Sequence, residues 1–425
     1  MKFLISAAGS HGDVLPFIAI GREMAARGHE VALFTNPYFR DEVTAAGLRL
    51  VPVGTLDEYH SVLQELAKAN SRKAVRRAFA AFIEACRLYY QAMRAEIVAS
   101  QTLAIGGSLL FAPHLLRETD GIARVTVHLA PSMFQSNVQP ARLLPIWIKA
   151  ETPMPLKKMA WWCCDKFFYE PFFTKPLNKL RGELGLPPVA DIFRSWIHEA
   201  DCLLAMFPEW FAPRQADWPA HAILAGFPLY DAGAPELPAL PERLAEFIAA
   251  GSPPVAFSAG TANANAKDFF TTSIEACRLA GLRGIFLSHF AGQTPERLPA
   301  GIIHVDYAPF SALLPKLAAF VHHGGIGSTS QALCAGVPQL IRPVAFDQFD
   351  NSIRAVRLGV ARELPPWRYS ARAAADALAS LTSDARARKR CEEIASRFAA
   401  TSADSGAKND AIQIACDAIM ARCAA

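Results

Sequence analysis

His322–Ser330, HHGGIGSTS, packs three glycines, two serines and a threonine behind an apolar run. Backbone N–H groups at a helix start attract anions, and glycines let a phosphate approach the chain closely. Ser328 and Thr329 add hydroxyl donors, and His323 can donate to an oxygen. The stretch does not end in Gly-Lys-Ser/Thr, so it is not the phosphate loop of an ATPase. A dinucleotide fingerprint would want a third glycine where Ser330 stands. The plain structural alternative is a tight strand-to-helix turn with Ser and Thr as caps. A carboxylate and an amide, Asp347 and Gln348, follow at the next strand's end. Near the chain start, GSHGDVLP places Asp13 and His11 before a second helical run. Asp13 there is either a helix N-cap or a base facing a ligand, and one residue can serve as both.

The surrounding pattern has to position these groups. Lys2–Ala7 reads as a buried strand, VLPFIAIGREMAARG as a helix closed by Gly28, and HEVALFTN as the next strand. A β-α-β unit so early implies a parallel sheet. Further strands are expected near Leu103, Val125 and Leu203. The Pro-rich segment GFPLYDAGAPELPALPERL, 226–244, reads as a joint. After it the β-α-β pattern restarts in PPVAFSAGT, RGIFLSHF, GIIHVDYAP and LAAFVHH. The glycine stretch thus falls between a strand at Leu317–Val321 and a helix expected from Ser328 to Ala335. That is the carboxyl edge of a parallel sheet, where open α/β folds bind ligands.

Composition narrows the class. Of 425 residues, 52% are hydrophobic and 19% charged, which fits well-packed globular domains and excludes a disordered chain. Forty-three basic against 39 acidic residues give a net charge of +4. No basic run is dense enough to track nucleic acid. Nine scattered cysteines without a C-x-x-C pair suggest reduced thiols in a cytoplasm. The N-terminal apolar run is short for a signal peptide, and no stretch approaches a membrane span. Any membrane association is expected to be peripheral.

The longer pattern HHGGIGSTSQALCAGVPQLIRPVAFDQFDN resembles the donor-binding signature of nucleotide-sugar glycosyltransferases. The residues carrying it are His323, Gly325, Ser328, Ala332, Gly336, Val337, Pro338, Pro343, Asp347 and Gln348. GSHGDVLPFIAIGREMAARGHEV resembles the same family's first loop and helix, so the likeness spans the chain. It implies a GT-B fold: two facing Rossmann-like domains with an interdomain cleft. The expected division is an acceptor-binding domain over 1–225, a Pro-rich linker over 226–252 and a donor-binding domain over 253–400. A C-terminal helix over 401–425 is expected to pack back on the first domain. The resemblance implies diphosphate contacts from His323, Gly325, Gly327, Ser328 and Thr329, joined by Thr261. Sugar-hydroxyl contacts fall to Asp347 and Gln348, and base stacking to Tyr307. Gln331 stands where plant relatives often carry a glutamate for the ribose, which fits a deoxyribose donor. Asp13 falls where relatives have their catalytic histidine or aspartate, with His11 lining the cleft beside it.

No Asp-x-Asp occurs, so the leaving diphosphate is expected to be stabilised without a metal, by helix dipole and donors. No cofactor is expected beyond the nucleotide-sugar substrate. FPEWFAP, ADWPAHAILAGFPLYD, RGIFL, YAPFSALLP and FDQFDN resemble the chain-B rhamnosyltransferases of rhamnolipid synthesis. That likeness implies L-rhamnose moving from dTDP-L-rhamnose to the hydroxyl of a hydroxyacyloxy-alkanoate lipid. KKMAWWCCDKFFYEPFF, 157–173, is apolar nearly all round a helical wheel. It reads either as a buried core helix or as a wall for acyl chains. Trp161 and Phe168, seven apart, would share a face of a regular helix. Rival readings are a UDP-glucose-dependent enzyme acting on a sterol or macrolide, a non-hydrolysing nucleotide-sugar epimerase, and an inactive nucleotide-binding partner.

Overall fold

The computed structural model describes residues 1–67, 72–143, 148–231, 239–261, 263, 265–405 and 410–423. They form two compact units. One comprises Met1–Ala141, Ile146–Tyr230 and Ala411–Ala425; the other comprises Arg142–Pro145 and Asp231–Asp410.

The first unit holds seven strands: β1 (Lys2–Ser6), β2 (Glu30–Thr35), β3 (Arg49–Pro52), β4 (Thr102–Gly107), β5 (Ala123–His128), β6 (Cys202–Ala205) and β7 (Ile223–Leu224). Their order is β3-β2-β1-β4-β5-β6-β7, and every described pairing is parallel. The alternation along β1 shows why the run is apolar throughout. Phe3 and Ile5 face one core, with helix α1 (His11–Ala26), while Leu4 faces another. A parallel sheet covered on both faces needs hydrophobic residues at every position. Two further elements matter here: α2 (Met154–Cys164) and a π-helix continuing it over Asp165–Thr174.

The second unit holds six strands: β8 (Val255–Ser258), β9 (Gly284–Leu287), β10 (Ile302–Val305), β11 (Ala319–His322), β12 (Gln339–Ile341) and β13 (Ala361–Glu363). All described pairings are parallel, in the order β10-β9-β8-β11-β12-β13. Val255 and Phe257 of β8 pack into one core and Ala256 into the other. Helices α3 (Ile326–Ala335) and α4 (Gln348–Arg357) follow β11 and β12. Helix α5 (Asp410–Cys423) returns to the first unit, where Ala411, Ile412, Ala415, Cys416 and Ile419 join the core around α1.

Several local expectations change. Helix α1 begins at His11 with Ser10 as its cap, so Asp13 is the third helical residue and not the N-cap. The Ser-x-x-Asp spacing decides this, because Asp13 reaches back to Ser10. Helix α3 begins at Ile326, two residues before the expected start, with Gly325 as its cap. The short strands β3, β7 and β13 had no signal of their own, being few residues at or near sheet edges. The regular helix expected over 157–173 widens into the π-helix, which contains Pro171. Proline has no N–H for the ladder, and a wider turn breaks the seven-residue return to one face. Among the described residues no helix is long and apolar enough to cross a membrane.

Candidate active site

In the second unit, the sequence from β11 to α3 builds an anion cradle. Thr329 N–H closes the first helical bond, to Gly325 O at 3.0 Å. The N–H groups of Ile326, Gly327 and Ser328 therefore lie in a first turn that offers them no intrahelical acceptor. Thr329 Oγ1, fully buried, and His323 Nδ1 have no hydrogen-bond partner among the described residues. The His323 ring is gripped by two glycines. A Cβ at Gly260 would lie 2.8 Å from its Cε1, and one at Gly325 would lie 2.5 Å from its Nε2. Burial pushes His323 down to about 4, so the ring is neutral near pH 7 and donates from a single nitrogen. Gly260 belongs to the turn after β8, which places Thr261, partly exposed, in the same neighbourhood. Tyr307 stands exposed in the loop after β10.

The shape of this loop depends on His322, which sequence reasoning missed. Its Nδ1 accepts the Gly324 N–H at 3.0 Å, so Nε2 carries the proton and donates to Gln339 Oε1 at 2.9 Å. The doubled histidine was the available clue: adjacent residues at a strand's end point to opposite faces.

Asp347 and Gln348 open α4. Gln348 Oε1 accepts the N–H groups of Val344 at 2.8 Å and Ala345 at 3.0 Å. Only the carbonyl end can do that, so the amide orientation is fixed. Gln348 thereby winds the preceding loop, in which exposed Phe346 sits at φ 57°. An aromatic residue in the left-handed region is costly, so the surrounding loop must hold it there.

In the first unit, Asp13 lies beyond the carboxyl end of β1. Its Oδ2 accepts the Ser10 N–H at 2.8 Å and the Ser10 hydroxyl at 2.9 Å. A Cβ at Gly9, where φ is 125°, would lie 2.5 Å from that same oxygen, so glycine is required. The carboxyl keeps solvent access but is crowded by protein. Desolvation raises it above the ordinary 3.8, against the opposing pull of the two Ser10 hydrogen bonds. His11 turns to Glu42 instead, with Nε2 and Oε1 3.1 Å apart, and meets Tyr38 and Phe39 edge-on.

Comparisons with known proteins bear on both units. The glycosyltransferase family 28 N-terminal domain matches residues 3–137, and the erythromycin biosynthesis protein CIII-like C-terminal domain matches residues 285–410. Glycosyltransferase GtfC of Amycolatopsis orientalis is 29% identical, over 91% of this chain and 92% of its own. The O-mycaminosyltylonolide 6-deoxyallosyltransferase of Streptomyces fradiae is 28% identical, over 93% and 94%. Among solved structures, the glycotransferase of kitacinnamycin superposes with a TM-score of 0.74 at 20% identity, covering 99% of this chain and 98% of that one. VinC in complex with dTDP gives 0.66 at 19%, covering 98% and 99%. The chain is a glycosyltransferase of the GT-B type.

The glycosyltransferase separates the two aromatic acceptor candidates. Trp161 is buried, and its indole N–H donates to Ser136 O at 3.2 Å, so it is a core residue. Phe168 is exposed on the π-helix. The segment is therefore neither a wholly buried helix nor one face shared by both residues. Along α2 and the π-helix, Leu156, Met159, Trp162 (57% exposed) and Phe167 (66% exposed) also face outward, with Trp162 and Phe167 in edge contact at 6.0 Å. Among the described residues no group of three or more His, Cys, Asp or Glu side chains could hold a metal ion. The eight cysteines whose side chains are described are all free thiols.

Proposed function

We propose that this glycosyltransferase transfers L-rhamnose from dTDP-L-rhamnose to the hydroxyl of a hydroxyacyloxy-alkanoate lipid, with inversion and without a metal. The observation that carries the donor half is the cradle at α3: three first-turn N–H groups beside a half-buried, neutral His323 and a buried Thr329 hydroxyl with no partner among the described residues. A diphosphate supplies the acceptors these groups need, and its charge grows as the bond to the sugar breaks. Gly325, Gly327 and Ser328 let it approach, Thr261 adds a hydroxyl, and Tyr307 stacks on the base. Asp347 and the Gln348 NH₂ hold sugar hydroxyls. The acceptor oxygen attacks the anomeric carbon from the face opposite the diphosphate. As that C–O bond forms, the bond to the phosphate oxygen breaks, and the acceptor's proton passes to Asp13.

Support for a dTDP-linked 6-deoxy sugar comes from relatives, one a 6-deoxyallosyltransferase and one bound to dTDP. Those relatives also favour a second reading, a macrolide-like acceptor. The exposed Leu156, Met159, Trp162 and Phe167 suit either hydrophobic acceptor. Melting temperature against a panel of nucleotide sugars tests the donor, because a ligand that binds only the folded state must raise it. The largest shift should come from dTDP-L-rhamnose and a smaller one from UDP-glucose. The reverse order would overturn the donor assignment. Transfer should survive EDTA, and a requirement for Mg²⁺ or Mn²⁺ would overturn the metal-free account.

A further inference from the structure

Asn351 lies one turn into α4, four residues after Asp347 and so on the same helix face. It is wholly buried. Its Nδ2 donates to Asp347 Oδ2 at 2.7 Å and to the Gly324 carbonyl at 3.0 Å. Both partners accept only, so the amide cannot be turned round. The other end, Asn351 Oδ1, is buried without a partner among the described residues. An unpaired buried carbonyl is costly, so the NH₂ group is what this site retains asparagine for. Gly324 is held from its other side by His322, and its φ is 90°. A Cβ there would lie 2.7 Å from Ile341 Cγ2 and 3.1 Å from Gln348 O, so the glycine loop rests directly on the start of α4.

We propose that Asn351 is a positioning residue that ties the carboxylate holding the donor sugar to the loop holding its diphosphate. The inference rests on the donor reading above. One amide group fixes the spacing of two parts of a single ligand, on either side of the bond that breaks. Free dTDP, which lacks the transferred sugar, does not need that spacing. Transfer does, because misplacing a reacting centre by about 1 Å can cost about 10²-fold in rate.

The test compares Asn351→Asp and Asn351→Ala with wild type, with folding checked by melting temperature. Asn351→Asp sets a second carboxylate against Asp347 and a carbonyl, an arrangement that holds only when one proton is shared. At pH 8 its kcat for the nucleotide sugar should fall by about 10²-fold, while affinity for free dTDP changes little. As pH is lowered toward 5.5, its rate relative to wild type should recover, and that of Asn351→Ala should not. Parallel pH profiles for all three proteins would overturn the proposal, as would dTDP affinity lost in step with kcat. If Asn351→Asp does not fold at pH 8, Asn351→Ser retains one donor and should keep more kcat than Asn351→Ala; equal losses would overturn the tie. Asp347→Asn separates the two levels of inference. If it transfers normally, the donor reading has failed. If it is impaired while Asn351 variants behave as wild type, only the tie has failed.

Discussion

Asp13 accepts two hydrogen bonds from Ser10 while desolvation lifts its carboxyl above the ordinary range. The two effects serve different ends. The hydrogen bonds fix the direction of the carboxylate, and the raised pKa makes it a better proton acceptor once ionised. Activity requires the ionised form, so the rate should rise with pH through an acid limb lying above 3.8. Asn at this position can still accept the Ser10 N–H but cannot take a proton. Asp13→Asn should therefore lower turnover by about 10²–10⁴-fold and leave donor affinity in place. Rates across pH 4–8, under conditions where chemistry limits, check this. Near-normal turnover in the variant would reduce Asp13 to a partner of the helix cap. That an aspartate stands at the start of the first helix was legible in GSHGD, but that Ser10 and not Asp13 caps the helix, and that Gly9 admits the carboxylate, was not. Those roles depend on φ at Gly9 and on where helix α1 starts, which sequence pattern fixes only to within a few residues.

The strand-to-helix turn at β11 and α3 offers a cleaner probe than deleting a side chain. Gly325 caps α3 at φ −58°, a value any residue adopts, yet a Cβ there would strike the His323 ring. Gly325→Ala should keep the fold and displace the imidazole. Its loss of dTDP affinity by calorimetry should match that of His323→Ala, and the double variant should be no worse than either single one. Additive losses would mean that Gly325 acts on the ligand by another route. Helix α2 and the π-helix continuing it give a second prediction. Trp162→Ser and Phe167→Ser alter exposed rings, so melting temperature should hold while hydrophobic acceptors weaken. Each buried CH₂ is worth about 0.8 kcal/mol, so acceptor affinity in wild type should climb with acyl length and flatten in the variants. A flat series in wild type would remove the lipid acceptor. The apolar character of this segment was visible in sequence, but its outward face was not. Only Phe167 of that face lies where the helix widens, which regular helical spacing does not encode; the exposure of Met159 and Trp162 depends on tertiary packing.

Across the whole chain, the longer strands and the glycine stretch were readable because each couples an apolar run to a turn of special chemistry. The network beneath them was not. His322, Asn351 and Glu42 make contacts 17, 27 and 31 residues away in sequence, and no local period reports a partner at that distance. The same burial that hid these contacts sets how the protein responds to acid. His114 and His128, both fully buried in the first unit, are held well below the usual histidine value by desolvation. His198 is pushed to about 4, and His322 in the second unit to about 3, again first by burial. His128 is also locked in place, with Nδ1 2.6 Å from Ser108 Oγ and Nε2 2.9 Å from His198 Nδ1. In the unfolded chain these rings titrate near about 6.5. Between that pH and the folded values, the unfolded state binds protons that the folded state refuses, so stability rises with pH in this window. Above about 6.5 the rings are neutral in both states and contribute no slope. Each buried histidine should therefore remove up to about 1.4 kcal/mol of stability per pH unit below 6.5. Urea unfolding at pH 7.5, 6.5, 5.5 and 5.0 should show a plateau and then a steep fall. His128→Gln, which keeps hydrogen-bonding ends for Ser108 and His198 but cannot be charged, should make that fall shallower even if it lowers the plateau. A variant whose stability follows wild type in parallel through the whole range would remove His128 from the proton uptake.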